Sequence, residues 1–157
     1  MKKAATNIIS KLAFALGMLI AGVCVSPAQG ASAVKPDARP IIIGFDAEAG
    51  HTTSTSDDAI RVGIGIAIDE INAKGGVLGR PLALEERDNR SVPPRGIANA
   101  RAFGENPDVV AFIAGKFSPV VLEQLETVHK NGLILLAAWS AADGITRNGF
   151  SPNNVFR

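Results

Sequence analysis

The chain has 157 residues, with 16 Lys or Arg against 15 Asp or Glu, 5% aromatic residues and one cysteine. Three of the basic residues (Lys2, Lys3 and Lys11) precede residue 34, so residues 34–157 keep thirteen basic against fifteen acidic side chains, a net charge of −2. That balance, without a basic stripe or interleaved aromatics, gives a nucleic-acid partner no support. Because the cysteine is Cys24, the rest of the chain lacks a thiol for a disulfide, a thiolate metal site or cysteine catalysis.

Met1-Lys2-Lys3, the uncharged run from Leu12 to Val25, and the small residues Ser26-Pro27-Ala28 and Ala31-Ser32-Ala33 have the order of an export signal. Residues 1–33 are therefore expected to be a signal peptide and processing region. The apolar run is short of the about 20 residues a membrane-spanning helix needs, which sets aside a retained anchor. Val23 stands before Cys24 where a lipidation site wants a smaller residue. Residues 34–40 form a proline-punctuated lead-in, and 41–157 suffice for one domain.

The continuous apolar run Ile41-Ile42-Ile43-Gly44-Phe45 fits a strand covered on both faces. Asp46 to Ser56 reads as a loop. Ser56, with Asp57 and Asp58 behind it, opens a helix whose buried stripe is Ile60, Ile64, Ile68 and Ile71. Gly63 and Gly65 weaken that helix and are expected to let it approach the sheet closely. Gly75 or Gly76 takes the left-handed cap. Leu82 to Leu84 is a second short strand, followed by a polar patch from Glu85 to Arg90, with Asp88 and Asn89 as surface or domain-edge groups. Pro93-Pro94 starts a second helix with Ile97, Ala100 and Phe103 inward, broken at Asn106-Pro107. Val109 to Ala114 is the third strand. Ser118 is expected to cap a third helix, with Pro119 first in it and Val121, Leu122, Leu125 and Val128 on its apolar side. Leu133 to Leu136 is the fourth strand, and Val155-Phe156-Arg157 opens a fifth.

Strands alternating with helices predict an α/β fold with a doubly wound, mostly parallel sheet, its ligand site beyond the carboxyl ends of the strands. The loops 46–56, 115–119 and 137–146 sit there. Neither a nucleophile–base–orienter set nor a dinucleotide fingerprint emerges, so the chain does not read as an enzyme. His51 and His129, far apart in sequence, do not suggest a zinc centre.

The succession Ile43-Gly44-Phe45 and then Ile68-Asp69-Glu70-Ile71-Asn72-Ala73-Lys74-Gly75-Gly76-Val77-Leu78-Gly79-Arg80-Pro81-Leu82 resembles the periplasmic solute-binding proteins of branched-chain amino acid (Leu/Ile/Val) ABC transporters. Gly115-Lys116-Phe117-Ser118-Pro119, Leu135 to Thr146 and Pro152 to Arg157 look like the same family. The resemblance implies a periplasmic binding protein type I lobe, here the N-terminal one, incomplete before the second lobe. It implies export to the periplasm, a small-molecule ligand such as an amino acid, delivery to the membrane permease of an ABC importer, and no cofactor. The competing expectation is a truncated or degenerate α/β domain without transport function, or a ligand-sensing lobe of a regulatory protein. An incomplete lobe is expected to bare apolar surface around Val109 to Ile113 and Leu133 to Leu136.

Ser118, at a helix start on a strand exit, is the leading ligand position, because free backbone N–H groups there favour an anion. The resemblance places a carboxylate-binding serine in this turn. It also implies ligand contacts from Trp139, Ser140 and Ala141, the last standing where relatives carry a threonine, and from Thr53, Ser54 and Thr55. The plainer readings are a helix cap for Ser118, packing for Trp139 and a solvated loop for the three hydroxyl residues.

Overall fold

In the computed structural model, residues 38–49 and 55–157 are described. The elements follow in the order β1 (Ile41–Ala47), α1 (Thr55–Ala73), β2 (Leu82–Asp88), α2 (Pro93–Glu105), β3 (Val109–Ala114), α3 (Ser118–Lys130), β4 (Ile134–Ala137) and β5 (Val155–Phe156), with a 3₁₀ turn at Asp143–Ile145 before the last strand. All neighbouring strands are parallel, in the order β2-β1-β3-β4-β5. The order reverses after β2, so right-handed crossovers send α1 to one face and α2 and α3 to the other. This is the expected doubly wound sheet, with its fifth strand present.

The two faces are filled unequally. Under α2 and α3 lies one continuous core that joins Ala100, Phe103, Phe112, Val121, Leu125, Val128, Leu135 and Val155, with Phe103 and Phe112 rings 5.3 Å apart. Gly44 and Gly96 make this packing possible. A Cβ on Gly44 would stand 2.7 Å from Phe112 Cβ, and one on Gly96 2.4 Å from Val120 Cγ1. Under α1 the buried cluster is small: Phe45, Ala47 and Ile64, with Ile60, Ile68, Leu84 and Ile113 at its edge. One register row, Phe45–Ile113–Leu136–Phe156, crosses this face. Phe45 is 0% exposed, but Leu136 reaches 40% and Phe156 55%, since no described element covers β4 and β5 on this side. The bare apolar surface is thus real at Val110, Ile134 and Leu136, while Val109 and Phe112 are buried.

Several local readings need correction. Gly63 and Gly65 do not bring α1 close to the sheet, for a Cβ on either would meet open space. Helical spacing turns them away from the stripe centred on Ile64. Ile71 is 36% exposed and Leu122 38%, so neither belongs to a buried stripe; on α3 Val120 and Gln124 take that place. The polar patch after Leu84 is strand as far as Asp88. β2 is a sheet edge, where Glu85 pairs with Arg87 and Glu86 with Arg61. Gly75 and Gly76 both hold positive φ, and the Gly76 amide bonds the Ile71 carbonyl at 3.0 Å, the expected helix ending.

Candidate functional site

At the carboxyl ends of β1, β3 and β4 the chain leaves the sheet through short turns. There the structure gathers most of the residues expected to bind a ligand. Ser118 is the first residue of α3, with Phe117 as N-cap and no side-chain cap bond. Ser118 therefore does not cap the helix, and Pro119 is second in it. The Ser118 hydroxyl oxygen instead accepts the amides of Ala141 at 3.2 Å and Ala142 at 3.3 Å, across from the β4 exit. With both lone pairs engaged, its O–H proton is what the residue has left to offer. Ser140, 1% exposed, donates its hydroxyl to the Gly115 carbonyl at 2.6 Å. Two serines, one from each turn, thus clamp the β3 and β4 exits together. Trp139 stands beside them, 57% exposed. The Arg157 guanidinium closes the rim, bonded to the Ala141 carbonyl and at 3.3 Å to Asp143.

Thr55 begins α1 and is exposed. Thr53, Ser54 and His51 lie outside the described residues.

Beside the serine clamp lies a charged group that the sequence patterns did not single out. Asp46, 1% exposed, accepts Asn99 Nδ2 at 2.6 Å, Asn89 Nδ2 at 2.9 Å and Gln124 Nε2 at 2.6 Å. Burial lifts its carboxyl from 3.8 to about 6, against the downward pull of those three amides. Glu48, also buried, accepts the Phe117 amide at 2.8 Å, and burial raises its carboxyl too. Asp57, 0% exposed, takes Lys116 Nζ at 2.9 Å and the Glu48 amide at 3.4 Å. Asp57 is therefore more than a charge at a helix start, and Asn89, 1% exposed, is no surface group. One chain of polar contacts joins β1, α1, α2 and the β3–α3 turn, fixing the turn that carries Ser118. The legible signals were charges directly behind two apolar strands, at Asp46 and Lys116, and Gln124 within an otherwise apolar helical stripe.

Two surface clefts lie elsewhere. One of about 460 Å³ runs between α2 and α3 past Arg101, Glu105, Glu123 and Lys130, and one of about 400 Å³ lies by the stacked His129 and Phe150. Among the described residues no His, Cys, Asp and Glu group is placed to hold a metal, and no helix is long and apolar enough to cross a membrane.

Comparison with known proteins points the same way as the fold. A family model described as periplasmic binding protein matches residues 43–157. A Leu/Ile/Val-binding protein of Rhizobium johnstonii is 30% identical over 119 residues, 74% of this chain and 31% of that protein. An ABC transporter substrate-binding protein of Desulfitobacterium hafniense, solved with Leu, is 30% identical with a TM-score of 0.67, over 76% of this chain and 34% of that one. A branched-chain amino acid transporter substrate-binding protein of Streptococcus pneumoniae, solved with isoleucine, shares the fold at 24% identity and the same TM-score, over 75% of this chain and 33% of its own. The chain spans about a third of the length of these relatives.

Proposed function

The chain belongs to the periplasmic binding protein family, and on that premise we propose that it forms the N-terminal lobe of an exported receptor for a small solute, an amino acid or a related compound. The solute is held at the β3 and β4 exits and handed to the membrane permease of an ABC importer. The carrying observation is the Ser118 hydroxyl, which accepts the Ala141 and Ala142 amides. Two accepted bonds polarise the O–H and aim it away from the clamp, as a donor for a carboxylate oxygen. The first turn of α3 adds its positive end. In this reading Trp139 walls the apolar part of the ligand, Ala141 supplies backbone, and Ser140 keeps the two turns in register through Gly115. Thr55, at the start of α1, approaches from the β1 side, while the expected contacts of Thr53 and Ser54 fall outside the described residues. Lacking the hydroxyl that relatives carry at position 141, the site leans on Ser118.

A second lobe normally supplies the other half of such a cradle. Residues 34–157 alone are therefore expected to bind weakly, at millimolar rather than micromolar strength. Titration calorimetry with Leu, Ile and Val, on this chain and on any longer natural form, tests both points. Ser118→Ala is expected to weaken binding about tenfold or more, the value of a hydrogen bond to a charged group. Unchanged affinity in that variant would overturn the assignment.

A further inference from the structure

The positive end of α3 already has an anion on it. Glu48, just past the end of β1 and 0% exposed, accepts the amide of Phe117, the N-cap residue, at 2.8 Å. Pro119 brings no N–H, and the Val120 amide turns back to the Phe117 carbonyl at 3.0 Å. The helix end that favours a solute's carboxylate is thus partly neutralised from inside while Glu48 is ionised.

The charges around Glu48 deepen the effect. Asp57 of α1 accepts the Glu48 amide at 3.4 Å, and Lys116 Nζ stands 3.8 Å from Glu48 and 2.9 Å from Asp57. Asp46, two residues back on β1, is held by the neutral amides of Asn89, Asn99 and Gln124. Beside Ala49, Asp88 pairs with Arg90 at 3.4 Å, and at the rim Arg157 pairs with Asp143 at 3.3 Å. Those two pairs cancel. Asp46, Glu48 and Asp57 together outweigh Lys116 when all three are ionised, so a carboxylate arriving at Ser118 meets an excess of negative charge. Burial raises the Glu48 carboxyl above its ordinary range; Asp57 pushes the same way, while the Phe117 amide, Lys116 and Ser91 pull it down.

We propose that binding of a solute carboxylate at Ser118 is coupled to uptake of one proton from solvent by the buried Glu48. The proposal rests on the solute reading above and adds a regulation to that site. The contacts of Glu48 allow the change without moving the turn. Its Oε1 keeps the Phe117 amide, and Oε2, which now accepts the Ser91 hydroxyl at 3.3 Å, becomes the donor in that bond. Phe117 and Ser118 are adjacent, with Cα atoms about 3.8 Å apart, which puts a carboxylate on the Ser118 hydroxyl roughly 8 Å from Glu48. Two like charges at that distance oppose each other about 30-fold in binding at an effective dielectric of about 20. Screening at the open rim lowers this to about tenfold. With the solute bound, Glu48 holds its proton to higher pH than without it. Affinity therefore rises as pH falls through the interval between the two titrations, and is flat on either side.

The test labels the full 157-residue chain with nitrogen-15 and titrates it with leucine at pH 7.5 and pH 5.0, following amide shifts. Leucine keeps one charge state across this range, so a change in affinity belongs to the protein. Binding is expected to be about tenfold tighter at pH 5.0. Glu48→Gln keeps an acceptor for Phe117 and a donor for Ser91 without the charge. That variant should bind about tenfold tighter than the unchanged chain at pH 7.5 and show no pH dependence. In the unchanged chain without leucine, the Phe117 amide shift should titrate with Glu48, and leucine should move that titration to higher pH. A role in shape alone predicts that Glu48→Gln leaves affinity unchanged or weakens it, and either result would overturn the proposal. A pH profile that survives Glu48→Gln would overturn it as well and assign the proton to another group, such as His51. Absence of leucine binding at both pH values, in both proteins, would sink the solute reading and this proposal with it.

Discussion

The two faces of this sheet are built from the same strands and have opposite fates. On the α2–α3 face the row Phe112–Leu135–Val155 is buried to 4% exposure or less, whereas on the α1 face its neighbour Ile113–Leu136–Phe156 opens toward solvent. Adjacent residues of one strand are thus core on one side and surface on the other. Strand composition cannot cause that, since Leu135 and Leu136 are the same amino acid. Among the described residues two helices lie above one face and one above the other, and that difference decides it. Burial in a parallel sheet is a property of the crossovers, and the sequence between strands settles which side is finished.

The sharpest way to break the comparison is to truncate both rows. Phe112→Ala is expected to cost about 3–5 kcal/mol in chemical unfolding, and Leu136→Ala under about 1 kcal/mol in the monomer. Equal losses would mean that the open face is covered after all. The charged network at the strand exits extends the finished side. Lys116→Met removes the cation that stands 2.9 Å from Asp57 and 3.8 Å from Glu48 and should cost about 3 kcal/mol.

Asp46 sharpens the contrast through pH. Its folded pKa of about 6 exceeds the ordinary 3.8, so the native state holds the proton more tightly and this group's stabilisation is complete below about pH 4. It is lost as pH rises through 6, amounting to about 3 kcal/mol over the window. Gln124 Oε1, the buried side-chain oxygen without a partner among the described residues, is the acceptor a protonated Asp46 would recruit by rotation of that amide. Asp46→Asn should flatten the slope of unfolding free energy between pH 4 and 6. A slope identical in both proteins would assign the titration to other carboxylates. The smallest effects come from two helical glycines. Gly96→Ala drives a methyl into Val120 on the finished side and should cost about 1–3 kcal/mol. Gly63→Ala, in open space on α1, should gain about 0.5–1 kcal/mol in thermal melts of the monomer.

What could be read in advance follows the same division. β1 and β3 are uninterrupted apolar runs because both of their faces lie under neighbouring elements or strands, and such runs announce themselves. The Gly75-Gly76 helix ending is equally plain, because positive φ leaves few alternatives. β2 was read too short, since at an edge Glu85 to Asp88 keep their charges in solvent or ion pairs and need no apolar pattern. The β3 and β4 exit turns lie where the strand pattern put them, but Ser118 is not the helix cap it was expected to be. Local sequence shows a serine beside a proline at a helix start, the pattern of a cap. The partners that turn its oxygen elsewhere, the amides of Ala141 and Ala142, are more than twenty residues away. Asp46 and Gln124 escaped for a similar reason. A buried carboxylate is tolerated only where several donors converge, and convergence is a fact of three dimensions.

The order β2-β1-β3 has a consequence in time. β1 is made first, yet it sits between two strands that come later: Ile41 pairs with Leu82, and Ile43 with Ala111. β1, with its apolar run Ile41 to Phe45, must therefore wait, as the chain emerges, until two helices and two further strands have followed it. Both closures span long loops, which slows folding at a given stability. The rate-limiting encounter should be the insertion of β1 between its neighbours, and during that wait Ile41 to Phe45 is the segment most in need of a chaperone.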